Sequence, residues 1–427
     1  MQDMRVFVDT IGCRLNQSEI EAIANQFRAA GHTLVCRAAE ADLVVVNTCA
    51  VTAEAASDSR QKIRQAARAS VKEIAVTGCW ATLNPQGAAA LPGVTQVIPN
   101  DAKDGLVLRL LNLPPDAFDQ EPIVRQPLPG AHLRTRAFIK VQDGCDNRCT
   151  FCVTTIARGV GKSRSISAVV ADVQFALLGK AQEIVLTGVH LGSWGQDFAQ
   201  ARHLKDLVHA LLVETDVPRL RLSSLEPWDL SADFFSLWTD RRMCRHLHLP
   251  LQSGAKRTLR RMARKTRPDS FAGLVAEARR WIPGVAITTD VIVGFPGETE
   301  ADFQESLEFV RQMQFAGGHV FTYSPRPGTA AARFPDQVPM VVRKERNAQM
   351  RAILSDASRQ YRASFLGQTL PVLWEAAQGI GPDGWRLSGL TDNYLRVSAL
   401  APSDLWNQIT PVDLTGLMFE GLRGTIV

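Results

Sequence analysis

The first hundred residues alternate between short apolar runs and longer amphipathic stretches. RVFVDT (5–10), LVVVNT (43–48) and EIAVTG (73–78) are rich in β-branched residues, the pattern of strands buried in a sheet. Between them, SEIEAIANQFRAAG predicts a helix from Ser18 that stops at Gly31, and AEAASDSRQKIRQAARA (53–69) predicts a second, alanine-rich one. Strands separated by helices imply βαβ units and a parallel sheet. From Leu113 to Arg136 the pattern becomes irregular and holds five prolines. Proline blocks both helix and ladder, so 116–135 reads as a linker after an N-terminal domain spanning 1–115.

A second strand–helix series follows. AFIKV (137–141), EIVLTG (183–188), RLRLSS (219–224), HLHLPL (246–251), VAITTDVIVG (285–294) and HVFTYS (319–324) read as strands, with helical patterns such as TEADFQESLEFVRQMQF (299–315) among them. Six parallel strands with helices outside make an open or partial (β/α) barrel over 136–364, a fold that places its active site at the C-terminal ends of the strands. A long amphipathic helix, Val341 to Phe365, leads into LPVLWEA, GWRLSGL, NYLRVSA and GLRGTIV, so 365–427 reads as a small β-barrel. The expected fold class is α/β: an N-terminal open parallel α/β sheet domain, a central partial (β/α) barrel and a small C-terminal β-barrel.

At 427 residues, 45% hydrophobic and 21% charged, the chain is long enough for several cores and is neither disordered nor fibrous. No stretch approaches the roughly 18 unbroken apolar residues of a membrane span. MQDMRVFVDT carries no apolar signal core, so the expectation is a cytoplasmic protein with no membrane partner. The net charge of +5 is unevenly spread. Residues 365–427 hold three basic residues (Arg386, Arg396, Arg423) against six acidic ones (Glu375, Asp383, Asp392, Asp404, Asp413, Glu420), which leaves the positive surface to the body of the protein.

Chemistry enters with the cysteines. Cys145, Cys149 and Cys152 stand in DGCDNRCTFCV, a CxxxCxxC spacing directly after the first strand of the second series. Three thiolates this close can grip one metal centre, and three ligands leave one iron of a four-iron cluster open to a small molecule. The alternative, a structural zinc site, normally has four protein ligands. Cys13 (TIGCRLN), Cys49 (VNTCAV) and Cys79 (VTGCWA) are dispersed, yet each stands one to three residues after a predicted parallel strand. Such strand ends line one ligand-binding edge of an open sheet. The three either converge on a second centre or are small apolar core residues. Cys36 and Cys244 fit neither group and read as structural.

CxxxCxxC after the first strand of a (β/α) barrel resembles the radical S-adenosylmethionine (SAM) enzymes. With GCRLNQSE, NTCAVT and TGCWA ahead of it, the whole chain is similar to the methylthiotransferases of that superfamily. That resemblance implies an N-terminal methylthiotransferase domain, a radical SAM barrel and a C-terminal TRAM domain. DGCDNRCTFC, EIVLTGVHLGSWG, RLRLSSLEP, HLHLPLQSG, TTDVIVGFPGETE and HVFTYSPRPGT look most like the subgroup that modifies N6-threonylcarbamoyladenosine next to the anticodon of tRNA. Sister groups act on isopentenyladenosine in tRNA or on a ribosomal-protein aspartate. The chain departs from the family pattern at Phe151, where tyrosine is common, in VTTIARG after Cys152, at Thr82, and in the net acidity of its last segment.

The resemblance further implies two 4Fe–4S clusters. Cys145, Cys149 and Cys152 would be the metal ligands and catalytic residues of the first, and Cys13, Cys49 and Cys79 the ligands of the second. SAM would bind the open iron of the first cluster, and one electron from a donor such as flavodoxin or ferredoxin would generate the radical that removes the unactivated C2 hydrogen of adenine. No side-chain acid or base performs that step, and cofactors do. The second cluster would offer sulfur, drawn from a separate sulfur source, for methylation by another SAM.

Other residues are assigned on the same resemblance. Phe151 would pack beside SAM, and Gln252 and Ser253 in LQSG would hold its polar groups or form a plain turn. Gly294, Pro296 and Gly297 would admit its adenine or make a tight turn, and Arg264 would pair with its carboxylate. His246 and His248 share a strand face and read as barrel-lining hydrogen bonders rather than a metal pair. Trp374, Trp385, Tyr394 and Trp406 read first as core, although such aromatics also stack on bases. KRTLRRMARKTR (256–267) is a solvated helix face or, beside a site that admits a tRNA anticodon loop, a set of phosphate contacts. Arg134, Arg136, Arg148, Arg158, Lys162 and Arg164 add positive charge nearby. A rival of another class is a non-catalytic iron–sulfur RNA-binding sensor, which would release no 5′-deoxyadenosine.

Overall fold

A computed structural model describes residues 3–118, 135–381 and 384–427, so the expected linker falls almost wholly outside the described residues. Near the N-terminus, β1 (Arg5–Thr10), β2 (Thr33–Leu34), β3 (Leu43–Thr48), β4 (Glu73–Gly78) and β5 (Val94–Ile98) form an all-parallel sheet in the order β2–β1–β3–β4–β5. β3 is buried at every position, as its unbroken apolar run requires. Its alternate residues face two helices: Leu43 and Val45 pack with α1 (Arg14–Ala29), Val44 and Val46 with α2 (Ala53–Arg68). α1 begins earlier than its polar pattern suggested, because Cys13 takes the extended N-cap position. The strand order switches direction between β1 and β3, which opens a crevice at their C-terminal ends.

The second series opens with β6 (Arg136–Lys140) and a small hairpin of β7 (Gln142–Asp143) with β8 (Lys162–Ser163). β6, β9 (Glu183–Thr187), β10 (Leu220–Leu222), β11 (His246–His248), β12 (Ala286–Val293) and β13 (Gly317–Thr322) then form a parallel arc. Isolated parallel bridges, Leu220 with Met243 and Ser224 with His248, join its two halves. Helices outside the arc bury Val173, Leu207, Leu211, Phe271, Val275, Phe303 and Val310 against it. After the helix Met340–Ala363, β14 (Thr369–Gly379), β15 (Trp385–Thr391), β16 (Arg396–Ala401), β17 (Ile409–Leu417) and β18 (Leu422–Ile426) close into a barrel. The fold class agrees with the sequence reading. β17 was not among the expected strands, since Pro411 interrupts its pattern. Pro411 stands opposite Pro371 in the ladder, a pairing that asks neither residue for a donor. Among the described residues, no helix is long and apolar enough to cross a membrane.

Buried charge joins the pieces. Arg158, just after the cysteine loop, donates from Nη1 to Glu19 Oε1 at 2.8 Å and to Asp143 Oδ1 at 2.9 Å, and from Nη2 to Asn16 Oδ1 at 2.9 Å. Lys103 Nζ lies 2.8 Å from the other oxygen of Glu19. On the far side, the fully buried Arg221 makes a bidentate pair with Glu183 (2.7 and 2.9 Å) and donates to the carbonyls of Asp392 and Thr391 in the C-terminal barrel. Arg219 donates to the carbonyls of Leu390 and Pro371, and Arg245 to both carboxylate oxygens of Asp392.

Burial opposes the ionisation of Glu19, but Lys103 and Arg158 outweigh it and hold the carboxyl well below the usual carboxylate range. Removing that charge leaves buried Lys103 without a carboxylate and Arg158 with Asp143 alone, and breaking a buried pair costs about 3–5 kcal/mol. A depressed folded-state pKa gives stability that is complete above about pH 4.3, the ordinary glutamate value, and is lost as pH falls toward the folded value. Glu19→Gln should therefore lower the urea midpoint by the same amount at about pH 7 and about pH 6, with the gap to wild type narrowing only below about pH 4.

Candidate active site

The C-terminal ends of both parallel arrays open into one cavity of about 990 Å³. Cys13, Cys49 and Cys79 line it from the N-terminal sheet. Cys49 and Cys79 directly follow β3 and β4, and Cys13 follows β1 by three residues. Gly78 turns the chain at φ +96°, and a Cβ there would sit 2.3 Å from the Thr48 carbonyl oxygen, so only glycine delivers Cys79 to this edge. A Cβ on Gly12 would lie 2.7 Å from the Cys49 sulfur, which measures how closely the loop before Cys13 passes Cys49. Asn100 Nδ2 approaches the Cys79 sulfur at 3.6 Å. Burial pushes the Cys13 thiol up against the lowering pull of Arg158, and it carries Cys49 to about 11. Nearby thiols add to both shifts, so the dispersed triplet is one electrostatic unit.

The second triplet sits in the loop after β7. Gly144, at φ +69°, leaves no room for a Cβ, which would meet the Val160 carbonyl oxygen at 1.9 Å. The Cys145 amide donates to the Gly159 carbonyl at 3.0 Å, the Cys152 amide to the Cys149 carbonyl at 3.1 Å, and the Thr154 amide to the Cys152 sulfur at 3.4 Å. Arg264 Nη1 lies 3.8 Å from the Cys149 sulfur, and burial raises that thiol while Arg264 pulls it down. These three cysteines are not lining residues of the cavity, but their neighbours Thr154, Arg158 and Glu226 are. Arg158 thus stands between the triplets.

All six thiols are free. Among the described residues, no three His, Cys, Asp or Glu side chains close on a single metal ion. The donor set is two groups of three soft thiols with a guanidinium beside each, which suits iron–sulfur clusters, whose thiolate charge those guanidiniums offset.

The weaker expectations are placed as follows. Phe151 packs edge-on to Phe295 at 6.3 Å. Gln252, at φ +69°, lines the cavity and exchanges backbone hydrogen bonds with Asp290 and Ile292. Ser253 is buried, and its Oγ accepts from the Ala255 amide. Gly294, Pro296 and Gly297 form a turn packed on arginines: a Cβ on Gly294 would meet Arg343, one on Gly297 would meet Arg261, and the Pro296 carbonyl accepts from Arg261. Arg264, expected at SAM's carboxylate, is paired with Glu226 through both oxygens and donates to the Pro250 carbonyl. Of the basic run, Arg257 pairs with Asp302, whereas Lys256, Arg260, Lys265 and Arg267 remain exposed.

His246 and His248 both reach the hydroxyl of Thr288 at 3.0 Å. Trp374 is fully buried in the C-terminal barrel, and Trp385 packs against that core. Tyr394 is not in it. Held at φ +66°, it leaves the barrel and stacks on His246 with centroids 4.2 Å apart, and its hydroxyl accepts from Arg14 Nη2 at 2.7 Å.

Sequence reasoning missed His190 and Asp229. They form a 2.6 Å pair; burial opposes the imidazolium, but its hydrogen bonds to Asp229 and Cys145 raise His190 to about 10. The motif LTGVHLGSWG carried His190, but nothing in its spacing pointed at Cys145. Glu19 was legible in principle, as a charge on the buried stripe of α1 among Leu15, Ile20, Ile23 and Phe27.

Two family descriptions match the chain: the Radical SAM superfamily over residues 139–310, and the uncharacterized protein family UPF0004 over residues 5–98. It is 35% identical to the threonylcarbamoyladenosine tRNA methylthiotransferase MtaB of Bacillus subtilis, over 95% of this chain and 92% of that protein. It is 37% identical to the protein of the same name from Thermotoga maritima, over 92% and 90%. A tRNA-2-methylthio-N(6)-dimethylallyladenosine synthase from Moorella thermoacetica is 31% identical over 98% and 97%. Among solved structures, the radical S-adenosylmethionine methyltransferase TsrM of Kitasatospora setae, with cobalamin and a 4Fe–4S cluster bound, shares the fold with a TM-score of 0.58 at 15% identity, over 78% of this chain and 77% of that one.

The Gly144 turn gives a direct test of the second triplet. Gly144→Ala should leave the protein folded but spoil the aim of Cys145, so that after anaerobic reconstitution with iron and sulfide it retains about half the iron of wild type. Iron and sulfide assays on the desalted protein check this.

Proposed function

Since this chain belongs to the radical SAM methylthiotransferase family, we propose that it places a methylthio group on C2 of N6-threonylcarbamoyladenosine next to the anticodon of tRNA. The observation that carries the reading is one cavity lined by Cys13, Cys49 and Cys79 from the N-terminal sheet and by Thr154, two residues after Cys152, from the parallel arc, with Arg158 tying the two sides together. Relatives named for the threonylcarbamoyl substrate at 35% and 37% identity support the choice of base. In this reading, residues 1–115 hold the auxiliary cluster, 136–364 the radical SAM machinery, and 365–427 a TRAM-like barrel.

Bound clusters and SAM supply one-electron cleavage and transferable sulfur, chemistry no side chain offers. The chain's own residues hold and aim. Cys145, Cys149 and Cys152 bind the first cluster, with Arg264 compensating thiolate charge at Cys149 and the His190–Asp229 pair orienting Cys145. Cys13, Cys49 and Cys79 bind the second. The cavity would receive the adenine, and Tyr394 lines it beside Arg14 while stacking on His246. Exposed Lys256, Arg260, Lys265 and Arg267 meet the phosphates of the anticodon loop. An electron donor such as flavodoxin or ferredoxin and a sulfur source complete the partners.

Nucleoside mass spectrometry of tRNA from cells with and without the gene tests the substrate. The methylthio derivative should vanish while its threonylcarbamoyl parent accumulates; loss of the isopentenyl derivative instead would assign the enzyme to the sister group. In vitro, Cys149→Ala should release no 5′-deoxyadenosine from SAM, whereas Cys49→Ala should still release it and form no methylthio product.

A further inference from the structure

The buried arginines that brace this molecule have a carboxylate or a pair of backbone carbonyls: Arg158 has Glu19 and Asp143, Arg221 has Glu183, Arg264 has Glu226, Arg346 has Glu298, and Arg219 and Arg343 each donate to two carbonyls. Arg14 does not. It is half-buried, lines the cavity directly after Cys13, and among the described residues has no carboxylate within ion-pair distance. Its guanidinium is held in place by the hydroxyl of Tyr394 at 2.7 Å, with the tyrosine ring 5.8 Å from its Cζ. It is also the first residue of α1, whose first turn contains no acid. A cation there adds to the positive end of the helix dipole, an unfavourable arrangement unless an anion is present. Charge compensation of the thiols does not account for it, because Arg158 already serves Cys13 and Cys79. The other cavity-lining cations are placed differently: Arg351 and Arg396 are exposed, and Arg362 is hydrogen-bonded to the carbonyls of Met418 and Phe419.

The substrate of the proposed reaction supplies an anion. A threonylcarbamoyl group ends in a free carboxylate, whereas a dimethylallyl group is purely apolar. C2 and C6 of adenine flank the same ring nitrogen, so a base that brings C2 to the sulfur beside Cys13 brings its N6 substituent to the same end of the cavity. We propose that Arg14, oriented by Tyr394, is the receptor for the carboxylate of the threonylcarbamoyl side chain and the residue that selects this adenosine over an uncharged N6 derivative. The assignment rests on the methylthiotransferase reading above.

The test uses the reconstituted holoenzyme and two anticodon stem–loops that differ only at the N6 group, one bearing the free acid and the other its methyl ester. Binding is followed by fluorescence anisotropy, and methylthio product by mass spectrometry. Hydrogen bonds to a charged group are worth enough that wild type should bind the acid about 10- to 100-fold more tightly than the ester. Arg14→Gln should bind the two alike while keeping its full iron content, Arg14→Lys should keep a reduced preference for the acid, and Tyr394→Phe should weaken that preference. An Arg14→Gln enzyme that still prefers the acid, or that loses both ligands and its iron together, overturns the assignment. Wild-type enzyme that methylthiolates neither stem–loop overturns the underlying reading instead.

Discussion

A guanidinium buried between two half-molecules has to be neutralised where it lies, and that requirement governs this structure. Arg158 emerges from the cysteine loop of the parallel arc, and its counter-charge, Glu19, comes from the first helix of the N-terminal sheet. Neither charge is tolerable alone in a dry interior. The pair, with Lys103, Asp143 and Asn16 around it, brings two loops that each carry cysteines against one another. The approach of the Cys145 loop to the cavity lined by Cys13, Cys49 and Cys79 thus goes with this electrostatic closure.

The C-terminal barrel is attached by a different use of the same chemistry. Arg219 and Arg221 project from the arc and donate to backbone carbonyls at the ends of β14 and β15, and Arg245 and Arg136 take the carboxylates of Asp392 and Glu375. This resolves an oddity of composition. The last segment is net acidic, which argues against a nucleic-acid surface, but two of its acids face inward and neutralise arginines of the central arc. The charge that the segment presents outward is less negative than its sequence implies.

Much of this was legible in the chain. Strand–helix alternation predicted both parallel arrays, and the CxxxCxxC spacing and the cysteines one to three residues after predicted strands marked the candidate ligands. What stayed hidden depends on long-range partners. Glu19 and Arg158 are 139 residues apart, and no local pattern links them. Nothing in the sequence signalled that Arg264 pairs with Glu226, or that Arg343 and Arg261 pack on the glycines of VGFPGE. Tyr394 shows the same limit in reverse: its aromatic character suggested barrel core, but its left-handed backbone aims it out of the barrel and onto His246.

The rim of the cavity runs from Arg14 to Phe419, almost the length of the chain. A polypeptide made from its N-terminus therefore exposes all six cysteines long before the residues of the final wall exist. The chamber is thus completed only when the last barrel has been made and has docked.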